Sequence, residues 1–234
     1  MQSKFIYNTD VNMTFKLYVS KVFLYVAAGL LVSAIAAFFL GPLFLVFAVQ
    51  LGGIGAFLLY VPIILELAVA FYFSGRLLMM KKSTAYICYF LYSTLTGITL
   101  SFILLQYSIQ TTAFAFGSTA LLFICMAIIG LTTNIDLSKT RNYISFGLMG
   151  IIIASLINMF IGSSTADLII SYVAVIIFLV LIAFDMQNLR YLYNEGLTSS
   201  DLYSKLLIYG SFQLYLDFIN IFLRLLRIFS RRND

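Results

Sequence analysis

The chain has 234 residues, of which 62% are hydrophobic and only 10% charged, with a formal net charge of +5, two cysteines and no histidine. Soluble domains carry roughly a quarter charged residues, so a mean hydropathy of +1.04 excludes a soluble fold and makes lipid the solvent for most of the chain. The same composition argues against a zinc site, and the missing histidine leaves any proton sensing near neutral pH to carboxylates.

The apolar runs are each close to the ~20 residues that cross the hydrocarbon layer as a helix, and the ten-residue alternation of a membrane barrel is absent. The expected architecture is therefore a single all-α polytopic membrane domain at 22–229, with the lipid bilayer as its principal partner. A polar N-terminal arm at 1–21 and a short polar tail at 230–234 flank it. Basic residues occupy the breaks between runs instead of one helix face, so they mark sidedness and not nucleic-acid binding. Cys88 and Cys125 lie inside apolar runs, where a thiol behaves as a small hydrophobe.

The arm, with Lys4, Asp10, Lys16 and Lys21, suits a solvent-facing segment. The first run, Val22 to Leu40, is long enough to span and continues past a faint signal-peptidase pattern at Ala34-Ile-Ala36, which favours a retained helix over a cleaved leader. Gly41-Pro42 is expected to break it, leaving Leu43 to Leu51 as an interfacial connector before a second helix at about Gly53 to Gly75. Glu66 falls inside that helix and Arg76 near its end, about 15 Å apart along the axis and too far for a direct pair. Arg76 has two readings, as a functional cation or as an arginine snorkelling to the interface with Lys81 and Lys82. Glu66 is too short to reach water from mid-span, so another helix has to receive it.

The third run, about Ala85 to Leu105, carries Ser93, Thr94, Thr96, Gly97, Thr99 and Ser101. Such residues let helices approach closely and bond across the contact, which makes packing the first explanation and a pore lining the second. The fourth run is about Ala113 to Thr132, followed by the polar link Asn134-Ile-Asp136-Leu-Ser138-Lys139-Thr-Arg141. The fifth is about Tyr143 to Ile161, the sixth Leu168 to about Tyr191. Lysines and arginines number ten in the arm and in the links after helices two, four and six, against none in the other three links. This places the N-terminus in the cytoplasm. The last segment, Leu206 to Phe229, either crosses against the charge rule or dips in and returns.

Gln213, Asp217, Asn220, Arg224 and Arg227 are spaced four, three, four and three in that segment, a polar stripe on one helical face over about 21 Å. A lipid-facing helix would not carry it, so this helix is expected to face protein or a water-filled cavity; an interfacial amphipathic helix is the competing reading, disfavoured by other faces that are Leu, Ile, Phe and Tyr almost throughout. Asp217 has a counterpart in Asp185 near the end of the sixth run. A carboxylate at membrane depth is costly and is a functional candidate for that reason. Asn194-Glu195-Gly196 has the form of a helix end with a left-handed glycine cap, and Thr198 with Asp201 that of a helix start. Equal depth for the two aspartates requires a turn centred near residue 201, with Thr198 to Ser204 as a cytoplasmic turn and the span beginning near Lys205. In contact, the two carboxylates would share one proton and titrate as a unit, bridged at lower pH and repelling at higher pH. With Asn220 or Gln213 they offer calcium only an incomplete oxygen set, which suits permeation better than storage.

Phe184-Asp185-Met186-Gln187 and the run from Leu214 to Arg227 resemble the two signatures of the transmembrane Bax inhibitor motif family. Ile64 to Glu66, Ser74 to Arg76, Thr96-Gly97-Ile-Thr99 and Asp136-Leu-Ser138-Lys139 are similar to further parts of its pattern. The resemblance implies seven helices with the last enclosed by the other six, and a pH-dependent calcium leak in which calcium and protons are the partners and no cofactor is held. It also implies that Asp185 and Asp217 form the sensor pair, that Arg76 acts as a latch, and that Glu66 fills an acidic position of helix two. The short tails and the wording of the motifs point to a bacterial cytoplasmic membrane. A proton-coupled small-solute transporter and a non-transporting regulator of membrane proteases or stress survival are the alternatives. Intramembrane aspartyl proteolysis is disfavoured, because Asp217 follows Leu-Tyr-Leu and not Gly-x-Gly.

Overall fold

The computed structural model describes residues 2–230; residues 1 and 231–234, and the side chains of 2–14, 54 and 56, lie outside that description, and with them Lys4, Asp10 and nearly all of the polar tail. The chain is all-α and forms a multi-pass membrane bundle. Among the described residues six helical segments are long and apolar enough to cross a bilayer: Phe15–Gln50, Lys82–Leu104, Ile109–Thr132, Leu137–Ile161, Ser164–Gly196 and Ser200–Ser230.

The N-terminal part departs from expectation in three places. Helix α1 spans Gln2–Ile35, so the supposed solvent-facing arm is helical, and it buries Phe15 and Tyr18. Aromatic packing is the reason: Tyr18 meets the rings of Tyr193 and Tyr203 at 5.4 Å. Gly41-Pro42 does not break the helix. A π turn at Ala36–Leu40 absorbs the proline, with Gly41 N–H bonding to Ala36 O, and leads directly into α2 at Gly41–Gln50. Proline at 42 has no N–H for the carbonyl four residues back, and a widened turn accommodates that loss without ending the helix. The supposed connector 43–51 is thus mostly α2. The expected second helix is interrupted, forming α3 at Gly53–Leu58 and α4 at Val61–Arg76, with Pro62 in the first turn of α4. Gly52 has φ +61° and ψ −133°, a backbone conformation open to glycine that turns the chain between α2 and α3.

The remaining helices are α5 at Lys82–Leu104, α6 at Ile109–Thr132, α7 at Arg141–Ile161, α8 at Ser164–Gly196 and α9 at Ser200–Ser230. Ser108 caps α6 by accepting from Thr111 N. Gly162, at φ +70°, closes α7. The α8–α9 turn is shorter than expected: α9 begins at Ser200 instead of near Lys205, with the Ser199 hydroxyl accepting from Leu202 N. Gly196 is not left-handed. It is small because Tyr203 Cα would stand 3.0 Å from a β-carbon there.

The chain divides into two compact units, the first being residues up to Gln106 with Leu189–Tyr215, the second Tyr107–Asn188 with Leu216 onward. In the first unit, α1 and α2 advance in parallel with α5. Tyr89 Oη donates to Tyr25 O at 2.6 Å, Ser33 Oγ donates to Ser93 O at 2.7 Å, and Phe44 packs on Phe102. Gly97 makes this approach possible, since a β-carbon there would strike Ser33 O. In the second unit Gly130 of α6 lies against the backbone of Ala183 on α8, and Phe218 of α9 stacks edge-on against Phe116 and Phe123 of α6. The hydroxylated stripe of α5 therefore serves packing at Ser93 and Gly97.

Candidate functional site

Asp185 of α8 and Asp217 of α9 are 5% and 3% exposed, the only two carboxylates among the buried residues described. Both belong to the second unit. Their carboxyl groups lie within hydrogen-bonding reach of each other. Oδ2 of Asp217 is buried and has no hydrogen-bond partner among the described residues. Two ionised carboxylates this close repel each other, and that oxygen has no donor among those residues to offset the repulsion.

The local fold explains how residues on helices of unequal reach meet. From the short link the two helices would be out of step by about 9 Å at the aspartates if both ran straight from it. Within the first unit, however, Gly196 stands level with Tyr203, and Gly210 with Leu189 and Leu192. In that unit the two helices therefore run antiparallel about a point between residues 199 and 201, close to the turn centre that equal depth of the aspartates requires.

Glu66, on α4 in the first unit, receives hydrogen bonds from two hydroxyls of α5: Thr96 Oγ1 donates to Oε1 at 2.6 Å and Thr99 Oγ1 to Oε2 at 3.1 Å. The Tyr92 hydroxyl is also within reach. Tyr215 of α9, in the same unit, bonds to the Ser33 hydroxyl of α1 at 2.6 Å. Arg76 ends α4, is exposed, and makes no ion pair among the described residues.

The polar stripe of α9 is shared between the units, with Gln213 in the first and Asp217, Asn220, Arg224 and Arg227 in the second. Gln213 and Asn220 are half-buried. Arg224 Nη2 donates to Ser155 Oγ on α7 at 3.5 Å, and Arg227 Nη1 pairs with Asp167 Oδ1 on α8 at 2.6 Å. No group of three or more His, Cys, Asp or Glu able to hold a metal ion occurs among the described residues.

Three contributors carried no sign in the sequence of the contacts they make, Gln187 being marked only by its place in the motif from Phe184 to Gln187. Lys205 is buried, pairs with Asp201 at 2.7 Å and donates to Leu78 O beyond the end of α4. Tyr215 lacked any signal beyond its place in the C-terminal motif. Gln187 bonds with backbone atoms of the α6–α7 link, and backbone partners leave no trace in a pattern of side chains.

Residues 16–234 match the family described as inhibitor of apoptosis-promoting Bax1. The chain is 35% identical over 221 residues to the inner membrane protein YbhL of Escherichia coli, covering 92% of each. It is 38% identical over 218 residues to a protein of Borreliella burgdorferi, covering 93% of each. To the protein RP147 of Rickettsia prowazekii it is 34% identical over 240 residues, covering 99% of this chain and 98% of the other. With six long apolar helices among its described residues and these membrane relatives, the chain is an integral, multi-pass protein of a bacterial inner membrane.

Proposed function

Because the chain belongs to the Bax inhibitor family of membrane proteins, and because two buried aspartates face each other between α8 and α9, we propose that it is a pH-sensitive calcium leak gated by Asp185 and Asp217. The facing pair carries the reading. While one proton is shared, α8 and α9 are held together; when the pair loses it, two like charges confront each other at membrane depth and favour separation. Leakage then rises with pH. Calcium prefers six to eight oxygens, and the pair with Asn220 further along α9 supplies too few for tight retention, as passage requires. Arg76 is the proposed latch, its exposed guanidinium able to engage a carboxylate as the gate changes state.

The proposed topology has seven crossings. The parallel course of α1–α2 and α5 supports this, because the chain between Gln50 and Lys82 then has to return through the bilayer, and α4 is the segment that does so despite its 16 residues. Two-thirds of the apolar window of α9 is buried, more than of any other span, which supports reading α9 as the enclosed helix.

Calcium flux into liposomes holding the purified protein, followed between about pH 6 and pH 8, tests the function. The parent leak is expected to rise with pH, and Asp185→Asn and Asp217→Asn to flatten that rise. Flux equal to that of empty liposomes sinks the leak; flux whose pH dependence survives both substitutions sinks the sensor alone.

A further inference from the structure

Gln187 follows Asp185 by two residues on α8 and is half-buried. Its side-chain amide is engaged at both ends by the link between α6 and α7. Oε1 accepts from Leu137 N at 2.9 Å, and Nε2 donates to Ile135 O at 2.9 Å. Together the two bonds fix the amide's orientation, since exchanging its oxygen and nitrogen would set donor against donor and acceptor against acceptor. Little else holds the link. Residues 134–136, 138 and 139 are exposed, and Leu137 alone among 134–139 is half-buried.

The link has internal order of its own. Asp136 Oδ1 accepts from Ser138 N at 3.0 Å and from Ser138 Oγ at 2.6 Å, capping a 3-10 turn at Leu137–Thr140. It is therefore a preformed segment fastened to α8 by an amide. Asp185 and Gln187 lie about 200° apart around the helix and about 3 Å apart along it. A shift of α8 that takes Asp185 away from Asp217 carries Gln187 with it. Hydrogen bonds at 2.9 Å weaken once they are stretched by more than a few tenths of an ångström.

We propose that Gln187 is a positioning residue that fastens the 134–138 link to α8 while Asp185 faces Asp217, and frees the link when α8 moves. The proposal rests on the reading of the aspartate pair as a gate. In this unit Asp217 on α9 faces Asp185, the link carries Asp136 and Lys139 and α7 begins with Arg141, and α6, packed on α8 through Gly130, contributes no charged residue. Asp136 does not itself respond near neutral pH. Its hydrogen bonds from the Ser138 hydroxyl and amide hold it below the usual carboxylate range, so it stays ionised there. Release of the link on raising the pH thus reports on the aspartate pair.

Hydrogen–deuterium exchange of the 134–140 segment in the full-length protein in liposomes tests this, with each rate divided by that of the unfolded protein at the same pH. The Leu137 amide is expected to be protected at about pH 6 and to lose several-fold protection by about pH 8. Gln187→Leu should abolish the protection at both values. Gln187→Glu, which keeps the acceptor for Leu137 N, should retain more of it, and Asp217→Asn should make it independent of pH. Equal protection in the parent and Gln187→Leu, or parental protection that does not change with pH, overturns the proposal. Exchange needs no permeant ion, so absence of calcium flux would fail the leak and leave this readout standing.

Discussion

Arg227 in the last turn of α9 reaches Asp167 in the first turn of α8, Nη1 to Oδ1 at 2.6 Å. This contact accounts for Arg227, one of the basic residues that run against the sidedness rule at the C-terminus; Arg231 and Arg232 lie outside the described residues. Each charge also complements its own helix: the carboxylate sits at the positive N-terminal end of α8, and the guanidinium at the negative C-terminal end of α9. The pair is partly open, with side chains 47% and 32% exposed, so its contribution is small.

Asp167→Asn is therefore expected to cost at most about 1 kcal/mol, seen as a small drop in thermal unfolding temperature in detergent. The exchange Asp167→Arg with Arg227→Asp should restore part of the contact but set both charges against the helix ends. A loss of several kcal/mol in the single variant would show that the contact is desolvated by lipid.

Glu66 is held by the Thr96 and Thr99 hydroxyls, with that of Tyr92 in reach. Thr96→Val or Thr99→Val removes one of these donors, and each is expected to lose up to roughly 3 kcal/mol if the carboxylate is charged. Glu66→Gln should lose less, because the hydroxyls can turn to accept. Thermal unfolding of the four proteins compares them; equal stability of Glu66→Gln and Thr96→Val would show that the carboxyl is held uncharged.

Gly97 and Gly130 allow close backbone approach, and alanine at either would meet the backbone of Ser33 or Ala183. Each substitution should destabilise by about 1 to 3 kcal/mol. Gly75, which has nothing within 4 Å of an added β-carbon, is the control: Gly75→Ala should be neutral or up to about 1 kcal/mol stabilising.

Arg76→Gln should leave thermal stability unchanged, since the exposed guanidinium has no ion-pair partner among the described residues. As a latch it should raise calcium leakage several-fold at the pH where the parent is tightest. Unchanged leakage would assign Arg76 to the interface with Lys81 and Lys82.

The membrane class and the course of α5, α6 and α7 were legible in composition and run length, with ends within a few residues. Elsewhere, tertiary packing overrode local signals. Pro42 ordinarily ends a helix, but a π turn carries α1 into α2, while Pro62 opens α4 after an interruption that no single residue announced. Asp185 and Asp217 were visible as carboxylates in apolar runs, and their equal depth followed from counting about a turn. Which threonines Glu66 would find depended on α4 packing beside α5, and Gln187's partners are peptide groups common to every residue.

Ser33 has one hydroxyl hydrogen and three close neighbours: Gly29 O at 3.0 Å, Ser93 O at 2.7 Å and Tyr215 Oη at 2.6 Å. Both carbonyls can only accept, so while the serine donates to either of them the tyrosine has to give its hydrogen to the serine. Tyr215 is also within reach of the Thr96 and Ser93 hydroxyls, and Thr96 donates to Glu66. Whichever way the Ser33–Tyr215 hydrogen points, a single tyrosine hydroxyl ties α9 to α1 and α5 of the same unit.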